Sequence, residues 1–235
     1  MQKVFIILIS LQVSVPSVFC QENNPGKIKK GEFCGYTFTD TLLLRKNYQA
    51  QLDFLDLKDG DTVIDVGTGS GSYIGALNVI TVVKKAHFIL VDIDSNCLNP
   101  LKVNNMINYY ETLHGAKFNN TFSMLLNTPD SLYLPANRYK KLLILNTLHE
   151  VRDREEMARQ LAAVLKPGGE LIVGEMPPMG RKKIHQGCNK PLMRTDEIVN
   201  LFARFGLTPT GQENVQPVLK ARIKHPYYFL RLTKM

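Results

Sequence analysis

Several features that would divide the chain or change its class are missing from this sequence. It has no internal repeat and no low-complexity run that would argue for more than one domain. It also has no tryptophan. A chain of 235 residues with 44% hydrophobic residues can bury one substantial core. We therefore expect a single globular domain.

The sequence also lacks an N-terminal apolar run of comfortable bilayer length. The run over 4–19 follows one lysine and is interrupted by polar residues and a proline. We interpret residues 1–20 as a secretory signal peptide, which leaves Gln21 as the first residue of an exported protein, secreted or periplasmic. A membrane-anchored form with an uncleaved run is the alternative. A lipoprotein signal at Cys20 fits less well, because Phe19 is bulky where such sites want a small residue.

Cysteines are few, and their spacing matches no zinc ligand pattern, so no metal site is predicted. Three remain after the signal peptide, Cys34, Cys97 and Cys188, and an odd number permits at most one internal pair. Removal of the peptide lowers the formal charge only from +8 to +7, because Lys3 is its single charged residue. A basic surface suits an acidic partner, and it is equally a solvated face that aids solubility.

An apolar strand that ends in a glycine-spaced turn, Val63 to Gly71, organises the chain. Such a turn allows positive φ and close approach of the backbone to a ligand, while the next helix presents unpaired N–H groups. A dinucleotide fingerprint needs a third glycine where this chain has Ser72. The spacing is instead D-x-G-x-G-x-G, beginning at Asp65 in the end of the strand.

This motif resembles the first motif of class I S-adenosylmethionine-dependent methyltransferases. Later landmarks of that family follow in order, at Phe88–Asp92, Leu142–Asn146, Lys166–Gly169 and Glu170–Glu175. The resemblance covers roughly 40–235, after a lead-in and cap segment over 21–39. It implies an α/β fold: a Rossmann-like, open seven-stranded, mostly parallel sheet with helices on both faces, in a single domain.

The resemblance also implies S-adenosylmethionine as the cofactor. It assigns donor binding to Asp65, Gly67, Gly69, Gly71, Asp92, Asp130 and Asn146. Asp65 is placed to neutralise the amino group of the donor, and Asp92 to accept from both ribose hydroxyls, with Asp94 as the alternative. The loop that contains Asp130 lies near the adenine in this fold.

For the reaction, the resemblance implies a small-molecule acceptor, with O-methylation slightly ahead of N- or C-methylation. Leu148-His149-Glu150-Val151 resembles the Leu-His-Asp-Trp stretch of plant-type O-methyltransferases at the leucine and the histidine but not at the tryptophan. In that stretch the histidine deprotonates the acceptor hydroxyl. His149 is thus the candidate catalytic residue, and a structural role in capping the following loop is the alternative. No nucleic-acid partner is expected, and the oligomeric state is left open. For the whole chain, the alternative is a non-catalytic donor-binding or scaffold protein.

Two further expectations concern the segments that this family folds over the acceptor pocket. Cys34 and Cys188 lie in them, so the pair forms a bridge or stays as two free thiols; we favour free thiols. Tyr36 and Phe38 face the sulfonium, or they simply pack in the cap segment. The loop after the fifth strand is a basic clamp for an anionic acceptor or a solvated loop.

Local signals predict where the elements lie. Helices should begin after Asp40, after Asn99 with Pro100 at the first helical position, and after Asp153 with a capping box. The third strand is predicted over 122–126. Further strands are predicted over 207–210 and 227–232.

Overall fold

The computed structural model describes residues 32–35, 37–185, 187–215 and 227–235. The predicted signal peptide, most of the lead-in and Tyr36 lie outside the described residues. Within them the helices are α1 (Thr41–Leu55), α2 (Ser72–Ile80), α3 (Pro100–His114), α4 (Arg154–Val164) and α5 (Thr195–Ala203). The strands are β1 (Thr62–Val66), β2 (His87–Asp92), β3 (Thr121–Leu126), β4 (Tyr139–Leu145), β5 (Leu165–Glu175), β6 (Leu207–Val215) and β7 (Tyr227–Lys234).

The seven strands form one sheet in the order β3-β2-β1-β4-β5-β7-β6. Strands β1 to β5 pair in parallel, and β7 runs antiparallel to both β5 and β6. The predicted fold class, a Rossmann-like, seven-stranded, mostly parallel sheet with helices, is confirmed. The chain order reverses between β1 and β4, and ligands of open α/β sheets bind outside the carboxyl ends of the strands at such a point.

Alternate strand residues supply the two hydrophobic cores that the described residues form. Val63 on β1 belongs to the core under α1, α2 and α3, whereas its neighbour Ile64 belongs to the core under α4 and α5. Leu142 and Leu143 on β4 divide in the same way. This alternation follows from the two-residue period of a strand, and it holds the sheet rigidly between two helical layers.

The predicted helix starts are confirmed by side-chain caps. Asp40 accepts from the backbone of Leu42 and Leu43 at the start of α1. Asn99 accepts from Lys102 N at 3.0 Å, and Pro100 is the first residue of α3. These caps satisfy N–H groups that have no partner within the helix.

One predicted cap forms only in part. Asp153 accepts from Glu156 N at 2.9 Å, but the Glu156 carboxylate bonds Arg159 and Gln160 and does not return to the cap residue. The reciprocal bond of the predicted capping box is therefore absent. Arg159 and Gln160, one turn further along α4, donate to the Glu156 carboxylate instead.

Two strands are longer than predicted. The stretch Lys166–Gly169 was expected as a turn before the fifth strand, yet it lies within β5 as an irregularity. Tyr139 pairs with Leu165 there and Lys141 with Glu170, so the intervening residues bulge from the ladder. Strand β6 continues to Val215, five residues beyond its predicted end.

No helix in the described ranges is both long and apolar enough to span a membrane.

Candidate active site

The glycine turn after β1 has the backbone shape that its spacing predicts. Gly67, Gly69 and Gly71 have φ of 76°, 60° and 81°. A β-carbon built on Gly67 would lie 2.2 Å from Cγ2 of Thr147, which follows β4. The ends of β1 and β4 therefore approach so closely that only glycine fits at this position.

Asp92, at the end of β2, is bonded to the glycine turn itself. Its Oδ2 accepts from Gly69 N at 2.7 Å, and its Oδ1 accepts from Asp94 N at 2.9 Å. An ionised carboxylate accepts about four hydrogen bonds, so each oxygen retains a lone pair for a ligand hydroxyl. Asp94 is exposed and accepts from Asn96 N with its own carboxylate, which leaves Asp92 the better placed of the two candidates.

Asp65 is buried beneath the turn, and its Oδ2 accepts from Thr68 Oγ1 at 2.6 Å. Burial raises the pKa of Asp65 to about 7; the Thr68 hydrogen bond opposes this rise, and the negative charge of Asp92 adds to it. A nearby cation strongly stabilises the ionised form of a buried carboxyl with this pKa. The donor's amino group would supply that cation.

The other two predicted donor residues lie on either side of the turn. Asn146 follows β4 with a left-handed φ of 52°, and its N–H donates to Gly174 O at 2.7 Å. It precedes Thr147, which contacts Gly67, so it belongs to the same edge. Asp130 is exposed, and its backbone oxygen accepts from Gln160 on α4. The donor-binding role of either residue stays a prediction.

Asn127 was missed by the sequence reasoning, which selected Asp130 in the same loop. It is buried, and its N–H donates to Asp92 O at 3.0 Å. Its Oδ1 makes no hydrogen bond within the described part of the chain. A buried amide oxygen without a partner suits a ligand amino group such as that of adenine.

The N-terminal segment covers the turn and is fixed there covalently. Cys34 forms a disulfide with Cys97, with a Cα–Cα distance of 5.5 Å. Cys34 N also donates to Ser70 Oγ at 2.9 Å, and this hydroxyl donates to Cys97 O at 2.8 Å. Both interpretations of Cys34 are therefore wrong, because it forms neither the bridge to Cys188 nor the free thiol that we favoured. The segment turns toward the loop after β2, whereas Cys188 is free.

Aromatic side chains continue this cover between α1 and α2. The ring of Phe38 lies 5.2 Å from that of Tyr48, which lies 5.6 Å from that of Tyr73. Burial raises the pKa of Tyr73, so its hydroxyl stays neutral. Packing with Tyr48 thus accounts for Phe38, whereas Tyr36 lies outside the described residues.

His149 lies in the turn after β4 and is buried together with Glu175, the last residue of β5. Its Nδ1 is 2.8 Å from Glu175 Oε2, and its backbone N–H donates to Oε1 of the same carboxylate at 3.2 Å. Its Nε2 makes no hydrogen bond within the described ranges. The dyad thus fixes the ring and leaves one nitrogen available.

Glu175 was also missed by the sequence reasoning. The available signal was an acid at the carboxyl end of a buried strand, which is the same signal that identified Asp92. A fully buried carboxylate needs compensating donors, and His149 supplies two of them.

These residues fit S-adenosylmethionine. The glycine turn offers backbone that a ligand can approach, Asp92 has free acceptor capacity, and Asn127 presents an unpaired amide oxygen. Asp65 offers a carboxyl that an amino group would ionise. The donor set therefore matches a ligand with hydroxyls, an aromatic amine and a cationic end.

Comparison with known proteins identifies the family that the sequence motifs resemble. Residues 57–221 match a family model described as a methyltransferase domain. The ubiquinone/menaquinone biosynthesis C-methyltransferase UbiE of Vibrio cholerae is 28% identical over 124 residues, which are 53% of this chain and 44% of that enzyme. UbiE of Vibrio vulnificus is 27% identical over the same shares. The chain thus spans less than half the length of the curated relatives it matches.

Solved structures share the fold at low identity. A chain from the complex between the Haloferax volcanii Trm112 methyltransferase activator and its methyltransferase aligns with a TM-score of 0.60 and 16% identity, covering 81% of this chain and 90% of that one. An S-adenosylmethionine-dependent methyltransferase of Aquifex aeolicus gives 0.57 and 20%, covering 83% and 98%. With a family model matching well over half of its length, the chain belongs to the methyltransferase domain family, and the predicted class, an S-adenosylmethionine-dependent methyltransferase, is confirmed.

Proposed function

We propose that this protein transfers a methyl group from S-adenosylmethionine to a small-molecule acceptor that carries an acidic hydroxyl. The observation that carries the proposal is the buried pair of His149 and Glu175 at the carboxyl edge of the sheet. His149 follows Thr147 by two residues, and Thr147 contacts the glycine turn. A proton-accepting nitrogen therefore stands beside the donor site.

Methyl transfer requires the protein mainly to position the donor and the acceptor. S-adenosylmethionine supplies an electrophilic methyl group on a sulfonium, and in-line transfer requires a collinear acceptor and the exclusion of water. With Nδ1 donating to Glu175, the lone pair of the His149 imidazole lies on Nε2. Nε2 can then take the proton of an acceptor hydroxyl and leave an anionic nucleophile.

The product depends on which atom of that nucleophile reacts. A phenolate or enolate is nucleophilic at oxygen and at the neighbouring carbon. O-methylation is the reaction implied by the Leu148-His149 stretch, and C-methylation is the reaction in the name of the UbiE relatives. Both begin with loss of the same proton, so we propose phenols and enols as the acceptor class, with the O-methyl product sought first.

Calorimetry followed by a transfer assay tests this function. The chain should bind S-adenosylmethionine and S-adenosylhomocysteine saturably and should not respond to NAD. Mass spectrometry of reactions with a panel of phenols, quinols and enols should then show addition of one methyl group. Binding of NAD without either sulfur ligand would refute the proposal, and donor binding without turnover across the panel would support a non-catalytic protein.

We also propose that the protein is exported. The disulfide between Cys34 and Cys97 supports this, because such bonds persist in oxidising compartments. Asn119 begins an Asn-Asn-Thr sequon and is exposed, so a eukaryotic secretory pathway would glycosylate it. N-terminal sequencing of secreted protein should give Gln21, and a glycosidase should shift the wild type but not Asn119→Gln. A cytosolic protein that still begins at Met1 would contradict export.

A further inference from the structure

Two separate loops at the carboxyl edge of the sheet bring together four side chains of the types that ligate metals. His149 and Glu150 come from the turn after β4, and His185 and Cys188 come from the loop after β5. One ligand atom from each residue lies within 4.8 Å of the other three. A tetrahedral zinc with bonds of ~2.0–2.3 Å separates its ligand atoms by roughly 3.3–3.6 Å, so small rotations bring this group to that geometry.

An independent observation points to a ligand at this place. The His149 side chain is fully buried, and its Nε2 makes no hydrogen bond within the described residues. This nitrogen faces Glu150, whose Oε1 is 3.7 Å away. Leaving a buried polar atom unpaired costs free energy. A cation at the centre of the cluster would pair it.

The opposite nitrogen of His149 is already arranged as metal sites require. Histidine ligands in proteins usually donate their second ring N–H to a carboxylate, which fixes the ring and makes the ligating nitrogen more basic. Glu175 provides this contact at 2.8 Å from Nδ1 and is itself fully buried. The imidazole thus points Nε2 into the cluster without freedom to rotate away.

The second loop is folded so that it presents its two ligands together. His185 N donates to Lys190 O at 2.8 Å, and Asn189 N donates to His185 O at 2.9 Å, which closes a tight turn. His185 Nδ1 lies 3.2 Å from Cys188 Sγ, and the ring of His185 lies 4.6 Å from that of His149. The loop therefore brings an imidazole and a thiol to the buried nitrogen.

We propose that His149, His185, Cys188 and Glu150 bind one zinc ion. Two imidazoles, a thiolate and a carboxylate suit zinc, whereas Mg²⁺ and Ca²⁺ prefer sites built of oxygen alone. The thiol of Cys188 releases its proton to solvent on binding. The thiolate and the Glu150 carboxylate then balance the double positive charge. Cysteine spacing along the sequence predicts no such site because its ligands come from two distant segments.

The functional consequence rests on the proposed function. The Glu150 side chain is 51% exposed, so it is the ligand that an acceptor hydroxyl can displace. An acceptor hydroxyl bound to zinc would lose its proton more readily, because the metal stabilises the anion, and the displaced Glu150 carboxylate would take that proton. In the zinc-loaded protein Nε2 of His149 holds the metal, and it acts as a base only in the metal-free form.

Metal content and cobalt spectroscopy test the site without any assay of methyl transfer. The full chain, purified without a metal-affinity tag, should hold close to one zinc per chain. After removal of zinc by a chelator, Co²⁺ should give the visible bands of tetrahedral coordination and a thiolate-to-cobalt band in the near ultraviolet. Cys188→Ser should lose the thiolate band, and His185→Gln should lower zinc content at least tenfold. Both residues are only partly buried, so these variants should fold.

The matched control is His114→Gln, which changes a histidine in the last turn of α3, outside the cluster. It should keep wild-type zinc content and the wild-type cobalt spectrum, and circular dichroism checks that every variant is folded. Less than a tenth of a zinc per chain with no cobalt bands would overturn the proposal, as would unchanged zinc in both Cys188→Ser and His185→Gln. Donor binding by calorimetry is independent, so loss of the zinc site leaves the proposed function standing.

Discussion

Thr147 fills the space that a β-carbon on Gly67 would need. Such an atom would lie 2.2 Å from Thr147 Cγ2 and 2.3 Å from its Oγ1. Gly67 also has a φ of 76°, which L residues rarely adopt. The contact joins the donor turn after β1 to the turn after β4 that leads to His149. A change at Gly67 therefore meets two separate obstacles, one in the backbone and one in packing.

Gly67→Ala should destabilise the fold more than Gly69→Ala. Gly69 has a similar φ of 60°, but its added β-carbon meets nothing closer than 3.7 Å. Gly69→Ala should therefore lower the free energy of unfolding mainly by the ~1–2 kcal/mol that an L residue loses in a left-handed backbone conformation. Adding Thr147→Gly should recover part of the Gly67→Ala loss and none of the Gly69→Ala loss. Urea unfolding of the single and double variants measures both cycles, and equal losses for the two alanines would contradict the packing argument.

His149→Ala and Asp92→Ala should damage different steps. In the zinc-free protein, His149→Ala should lower turnover by ~10²–10⁴-fold with donor affinity unchanged, because the imidazole lies on the acceptor side and is free to act as the base. Asp92→Ala should weaken donor binding, since its carboxylate lies against the glycine turn. Calorimetry and steady-state kinetics separate the two, with His114→Ala as the control. A loss below threefold for His149→Ala, with chemistry limiting turnover, would leave His149 a structural residue.

Asp65 should make the stability of the donor-free protein depend on pH. Its folded pKa of about 7 lies above the ordinary pKa of an aspartate, so the folded chain holds this proton more tightly than the unfolded chain. The resulting stabilisation is complete below about pH 4 and is lost as pH rises toward 7. Relative to Asp65→Asn, the wild type should lose up to about 1.4 kcal/mol per pH unit in this window.

Unfolding free energies of both proteins between pH 4 and pH 8 measure this difference. Subtracting the Asp65→Asn curve removes the contribution of the other titrating groups. A difference that does not change with pH would show that Asp65 titrates normally. Because a bound ammonium favours the carboxylate, donor affinity of the wild type should also rise with pH up to about 7.

The disulfide should be a major source of stability. A loop closed over a separation of 63 residues gives about 4 kcal/mol in the chain-entropy model. Measured in the zinc-free protein, Cys34→Ser, Cys97→Ser and the double variant should lose similar amounts, whereas Cys188→Ser should lose little. Non-reducing digestion should yield one peptide pair that links Cys34 to Cys97. Free alkylation of both thiols in native protein would contradict the bond.

Local chemistry explains which parts of this molecule could be read from its sequence. Asn99 followed by Pro100 specifies a helix start within four residues, and the glycine turn specifies its own backbone shape. The ordered landmarks of the family then implied a seven-stranded, mostly parallel sheet, which no periodicity reveals. The topology was therefore predictable from family membership, and the boundaries of the helices and strands from short-range signals.

The features that were missed depend on contacts between distant segments. Glu175 meets His149 only because β4 and β5 lie side by side, and Cys34 meets Cys97 only because the cap segment crosses the glycine turn. β6 was predicted too short because Gly211-Gln212-Glu213 lacks the residues typical of strands, and pairing with β7 extends it. Such outcomes follow from tertiary packing rather than from any local signal.

The bond between Cys34 and Cys97 also divides the chain into a ring and a linear remainder. The ring contains β1, the glycine turn, α2 and β2, and therefore every donor residue from Asp65 to Asp92. His149 and Glu175 lie on the remainder. A single protease cut at the exposed Lys84 would thus release no fragment until a reductant was added. The ring thus closes around the glycine turn and Asp92, whereas Asn127, Asp130, Asn146 and the acceptor side of the site lie outside it.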